Sequence, residues 1–132
     1  MNKRRILVVD DEAGFTRMLK LNLEQTGRFE VRVVNVPEEA HEAALQFKPD
    51  LVLMDVFMPR MSGGDVAAQL RRDPAFNNRP IVFFTAAVKK SVVRDHAGVI
   101  GGDPFIAKPA TLEDVLAAID QHLPPAEPSS QH

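Results

Sequence analysis

Hydrophobic residues fall along the chain in five short runs: residues 5–9 (RILVV), 29–35 (FEVRVVN), 51–55 (LVLMD), 81–85 (IVFFT) and 104–107 (PFIA). All five read as strands, and the uninterrupted apolar run 51–54 reads as one buried on both faces. Between them the period changes. Phe15, Met18, Leu19, Asn22 and Leu23 follow a helical spacing, and Gly27 suits the stop. Pro37 fits a first helical position, with Ala40, Ala43, Ala44 and Phe47 on one face behind it. A short helix is expected over 64–72, where Val66 and Leu70 lie one turn apart, and a fourth over about 91–97. In the last segment Thr111 can cap, Asp114 sits three residues on, and Leu112, Val115, Leu116 and Ile119 form the stripe. Strand and helix thus alternate five times. That pattern predicts an α/β fold, a doubly wound parallel sheet with helices on both faces. Its strands all end on one edge, where sites form.

Composition narrows the function classes. With 132 residues, 45% hydrophobic and 26% charged, the chain has the size and make-up of one globular domain. We expect it over 4–123, with the proline-rich segment 124–132 (PPAEPSSQH) as a disordered tail or a linker stub. The chain has no cysteine, which excludes disulfides, thiolate metal sites and cysteine nucleophiles. A net charge of −2 gives no reason to expect nucleic-acid binding. The apolar run after the basic start covers only residues 6–9, shorter than a signal peptide's, and no run approaches a membrane span. A cytoplasmic protein is expected.

The strand ends carry the chemistry. The first ends in Asp10, followed by Asp11 and Glu12; the third ends in Asp55, the fourth in Thr85, and the fifth runs into Lys108 and Pro109. The second ends blandly at Asn35. Carboxylates gathered at one rim repel and need a cation. An all-oxygen acidic set suits Mg²⁺ or Mn²⁺. A lysine beside it supplies a positive charge for phosphoryl oxygens, and an aspartate beside a metal can itself be the nucleophile. Asp55 is therefore a candidate phosphoryl acceptor. Each residue also has a plainer reading. Asp11 and Glu12 suit a helix N-terminus, Thr85 is an ordinary strand former, Lys108 a surface lysine, and Phe105 a core residue. Gly63 and Gly64 suit a turn, and the four histidines show no ligand spacing.

Taken in order, ILVVDDE, LVLMDVFMPRMSGGD, IVFFTAA and FIAKP resemble the receiver domain of two-component response regulators, the CheY-like group. The separations Asp11–Asp55, Asp55–Thr85 and Thr85–Lys108 match as well. The resemblance implies a five-stranded flavodoxin-like sandwich with strand order 2-1-3-4-5. It also implies roles. Asp55 would accept a phosphoryl group from a sensor histidine kinase or a histidine phosphotransfer protein. Asp10, Asp11, Asp55 and the backbone carbonyl of Phe57 would hold Mg²⁺. Lys108 would pair with the phosphoryl group, and its bond to Pro109 would be cis. Thr85 and Phe105 would switch the face made by the fourth helix, fifth strand and last helix. That face would be read by an effector protein or an output domain, with the receiver a monomer or a weak dimer. Such a protein is no enzyme beyond its own phosphorylation and dephosphorylation.

This chain departs from the family pattern in places. Phe105 lacks the hydroxyl of the commoner tyrosine. Phe57 is bulky at a position that in the family borders the acidic pocket, and is expected to slow water attack on an acyl phosphate, while Ala87 offers no polar group. The stretch 96–105 (HAGVIGGDPF) is unusually glycine-rich for the link into the fifth strand. Three rivals remain. A haloacid-dehalogenase-type phosphatase wants two acids separated by one residue, whereas Asp10 and Asp11 are adjacent. A flavodoxin wants a hydroxyl- or glycine-rich phosphate loop after the first strand, and this one is acidic. A receiver fold kept only for docking would have no need of the full acid, hydroxyl and lysine set.

Overall fold

A computed structural model describes residues 3–86, 99–100 and 103–123. In chain order the elements are β1 (Arg4–Val9), α1 (Ala13–Gln25), β2 (Phe29–Val34), α2 (Ala40–Phe47), β3 (Leu51–Asp55), α3 (Gly63–Arg71), β4 (Ile81–Thr85), β5 (Val99–Ile100), β6 (Asp103–Ala107) and α4 (Leu112–His122). A 3-10 turn, Pro37–Glu39, leads into α2. The expected fourth helix, Ala87, the residues Gly98, Gly101 and Gly102, and the tail 124–132 lie outside the described residues.

The sheet runs β2-β1-β3-β4-β6-β5. Its five long strands are parallel, in the expected order. The addition is β5, two residues paired antiparallel with β6 through Val99–Pro104 and Ile100–Asp103. Sequence patterning missed it because a two-residue strand carries no period to read.

Side chains on successive strand residues point to opposite faces, so the apolar runs feed two cores. Leu7, Val9, Val52, Met54, Ile81 and Phe83 pack with Ala40, Ala44 and Phe47 of α2 and Val66 and Leu70 of α3. Ile6, Val8, Leu51, Leu53, Val82 and Phe84 pack with Leu19 and Leu23 of α1 and Val115 and Ile119 of α4. A strand covered on both faces cannot alternate with polar residues, which is why β3 and β4 are buried throughout.

Local signals set the element ends. Ser62 and Thr111 each accept from the backbone N–H three residues on, and Asp65 and Asp114 return the bond, giving capping boxes on α3 and α4. The Thr111 box matches expectation; the Ser62 box starts α3 one residue earlier than the spacing of Val66 and Leu70 suggests. Lys48 closes α2 in the left-handed region, at φ 56°.

Candidate functional site at the carboxyl edge of the sheet

Strand order reverses between β1 and β3, since β1 lies beside both β2 and β3 while the chain moves outward in opposite directions. Loops diverge at such a point and leave a crevice. Asp10 follows β1, Asp55 ends β3, Thr85 ends β4 and Lys108 follows β6. These four of the sequence-predicted side chains are therefore delivered to one edge.

Asp10 is fully buried, and Asp55 and Thr85 are nearly so. Asp11 is exposed. Carboxylate oxygens of Asp10, Asp11 and Asp55 lie within 4.8 Å of one another. Lys108 Nζ donates to Asp10 Oδ2 at 2.8 Å and to Glu12 Oε1 at 2.8 Å, and stands 3.5 Å from Asp55 Oδ1. The same ammonium sits 4.7 Å from the centre of the Phe15 ring, which also packs edge-to-face on Phe84. The Lys108–Pro109 bond is cis.

Buried like charges raise one another's pKa. Burial, and then the charge of Asp10, push the Asp55 carboxyl up to about 6, against the pull of Lys108. Burial likewise raises Asp10, although Lys108 and the Glu12 N–H offset part of it. Burial works against the Lys108 ammonium, but its bonds to Asp10 and Glu12 win, and its pKa rises above the ordinary lysine value. The site holds three carboxylates around one fixed ammonium, with one negative charge poorly compensated at the acceptor position.

The backbone around Asp55 is tightly placed. Val56 N–H donates to Phe84 O, Gly63 N–H to Val56 O, and Lys108 N–H to Thr85 O. A Cβ on Gly63 would lie 2.1 Å from the Asp55 carbonyl oxygen, so only glycine lets α3 start this close to β3. The plain turn role read for Gly63 thus becomes a close-approach role at the site. Phe57 is 65% exposed, beside the acceptor in sequence. Phe105 is half-buried and stacks on Phe83 with ring centres 5.3 Å apart.

Three contributors were not legible as such. Asn35 at the end of β2 donates from Nδ2 to the Asp10 carbonyl (2.8 Å) and to Thr16 Oγ1 (2.9 Å), tying the acidic loop to the second strand. A polar residue ending an apolar strand was its only signal. Glu12 reads as helix-terminal and turns out to bind Lys108. Phe15 reads as core stripe and also carries the lysine.

The description "response regulator receiver domain" fits residues 6–120. The chain is 37% identical over 122 residues to the DNA-binding response regulator MtrA of Mycobacterium tuberculosis strain H37Rv, covering 92% of this chain and 51% of that protein. It is 36% identical to the alkaline phosphatase synthesis transcriptional regulatory protein PhoP of Bacillus subtilis, covering 99% of this chain and 54% of that one. This chain spans about half the length of these relatives. Among solved structures, the non-phosphorylated HemR receiver domain of Leptospira biflexa matches with a TM-score of 0.74 at 29% identity, over 96% of this chain and 98% of that one. The chemotaxis protein CheY4 of Vibrio cholerae shares the fold, with a TM-score of 0.79 at 24% identity, over 92% of this chain and all of that one. The chain belongs to the response regulator receiver domain family.

Proposed function

We propose that this chain is a phosphoacceptor switch of a two-component phosphorelay, with Asp55 as the acceptor. The observation that supports this best is the convergence of Asp10, Asp55, Thr85 and Lys108 at one sheet edge, with Asp55 the least compensated of the buried charges. A carboxylate that is neither fully paired nor solvated is a ready nucleophile.

The phosphoryl donor is a phosphohistidine on a sensor kinase or phosphotransfer protein. An Asp55 carboxylate oxygen attacks phosphorus and forms the new P–O bond. The P–N bond breaks, its electron pair stays on the imidazole nitrogen, and that nitrogen takes up a proton. Lys108, 3.5 Å from Asp55 Oδ1, moves onto the phosphoryl oxygens, and Thr85 turns its hydroxyl to them. The loss of Thr85 from its resting place lets Phe105 repack from its stack on Phe83, and the edge around β6 changes shape.

The donor set suits a divalent cation: three carboxylates whose oxygens converge within 4.8 Å, two of them buried with raised pKa. Asp10, Asp11 and Asp55, with the Phe57 carbonyl, would hold Mg²⁺ or Mn²⁺. Such a cation offsets carboxylate repulsion and neutralises charge developing on phosphoryl oxygens. Among the described residues no helix is long and apolar enough to cross a membrane, in keeping with action in the cytoplasm. Curated relatives bear the names of DNA-binding and transcriptional regulators; here the phosphorylated face is read by an effector protein or an output domain. The chain turns over no substrate besides its own acyl phosphate.

The test is acyl-phosphate formation. Incubation with acetyl phosphate and Mg²⁺ should add one phosphoryl group to the intact mass. The gain should vanish with EDTA and in Asp55→Ala. Unchanged mass, with no binding of beryllofluoride either, would leave the fold as a docking module.

A further inference from the structure

Glu12 occupies the N-cap position of α1 and makes no side-chain bond to that helix. At this position a short polar side chain ordinarily accepts from the first turn. The Glu12 carboxylate goes to Lys108 Nζ instead, at 2.8 Å. Both hydrogen bonds of that ammonium thus end on carboxylates other than the acceptor, Asp10 and Glu12, while Asp55 stands off at 3.5 Å. The two anchors differ. Asp10 is fully buried and its other oxygen accepts the Glu12 N–H at 3.0 Å, so it cannot move far. The Glu12 side chain is 62% exposed and is free to swing into water.

We infer that Glu12 is a positioning residue that holds Lys108 away from Asp55 in the resting state and releases it on phosphorylation. The inference rests on the phosphoacceptor reading. A phosphoryl group on Asp55 places up to two negative charges beside the same ammonium. Charge-assisted bonds to it require Lys108 to advance from 3.5 Å to ordinary hydrogen-bond distance. The exposed anchor yields first. Glu12 therefore weakens the resting site's hold on a phosphoryl group by about the worth of one solvent-exposed ion pair, and so biases the switch toward off.

Two readouts decide it, on wild type, Glu12→Gln and Glu12→Asp. The first needs no ligand: the Lys108 ammonium resonance in ¹⁵N-labelled protein, assigned by its loss in Lys108→Arg. Its protons should exchange with water slowly in wild type and faster in both variants. The second is the affinity for beryllofluoride with Mg²⁺, followed by ¹⁹F NMR. Both variants should bind it about two- to fivefold tighter, the scale of an exposed ion pair. Aspartate is the discriminating variant, because it keeps the charge but is one methylene shorter. Tightening in Glu12→Gln alone would mean that Glu12 acts only as a charge, and that would overturn the tether. Unchanged affinity, or unchanged ammonium exchange, would overturn it too. Wild type that binds no beryllofluoride overturns the phosphoacceptor reading, and the ammonium signal then still shows whether Glu12 holds Lys108.

Discussion

Asp55 stores instability at the carboxyl edge of the sheet. The folded protein keeps its proton up to about pH 6, whereas an unperturbed aspartate loses it near pH 4. Between those values the folded state binds more protons than the unfolded one, so stability falls as pH rises. Above about pH 6 the penalty is fully present; a two-unit shift bounds it at about 3 kcal/mol. Asp55→Asn removes the charge, and Lys108 keeps Asp10 and Glu12 as partners. The variant is expected to exceed wild type by about 1–2 kcal/mol at pH 8 without divalent cations, a gain of the order of a relieved buried charge. At pH 4 the two should converge. Urea unfolding at both pH values measures this, and equal stabilities at pH 8 would show that Asp55 carries no strain. Phe57 makes a second prediction at this scale. Its side chain is exposed two residues after the acceptor, and Phe57→Asn should shorten the acyl-phosphate lifetime if the ring shields it. An unchanged half-life removes that role.

Each helix start binds its element to a different duty. Ser62 and Thr111 make the same capping box, and loss of either hydroxyl should cost about 1 kcal/mol. Thr111→Ala weakens α4, on the face away from α3, and should leave phosphoryl uptake nearly unchanged. Ser62→Ala loosens the start of α3 one residue from Gly63, against the Asp55 carbonyl, and should slow uptake as well. Gly63→Ala is the severe case. A Cβ 2.1 Å from that oxygen cannot be accommodated without moving β3 or α3, and a loss of more than about 3 kcal/mol is expected. A midpoint shift smaller than that of Ser62→Ala would show that the helix start yields easily. These elements also show what the sequence could convey. Strands β1, β3 and β4 were legible because burial on both faces forces continuous apolar runs, and Asp10, Asp55 and Thr85 because they stand at the ends of those strands. The Thr111 cap was legible because its partner lies three residues away. Contacts between distant segments were not: Glu12 to Lys108 spans 96 residues, and Asn35 to Asp10 spans 25. Nothing local in either side chain announces its partner. Gly63 was read as a turn because its close neighbour, the Asp55 carbonyl, belongs to β3 and not to its own helix.

At the scale of the whole molecule, the two cores are joined through strands whose shared edge is the acidic site. Repulsion there opposes the packing that the rest of the chain supplies. A cation held by Asp10, Asp11 and Asp55 would reverse the sign of that opposition. Since the unfolded chain does not gather these carboxylates, binding would stabilise the fold by mass action. At a Mg²⁺ concentration ten times its dissociation constant the gain is about 1.4 kcal/mol, or about 3–5 °C in Tm for a domain of this size. The effect should follow the carboxylates. It should be present at pH 8, shrink toward pH 4 as Asp55 and Asp10 take up protons, and be lost in Asp10→Asn. Calcium at equal concentration should give less, if the site is as small as the 4.8 Å cluster indicates. A Tm rise of the same size in wild type and in Asp10→Asn would place the ion elsewhere on the surface. No rise in either would mean that Lys108 alone balances the resting site, with the cation arriving only alongside the phosphoryl group.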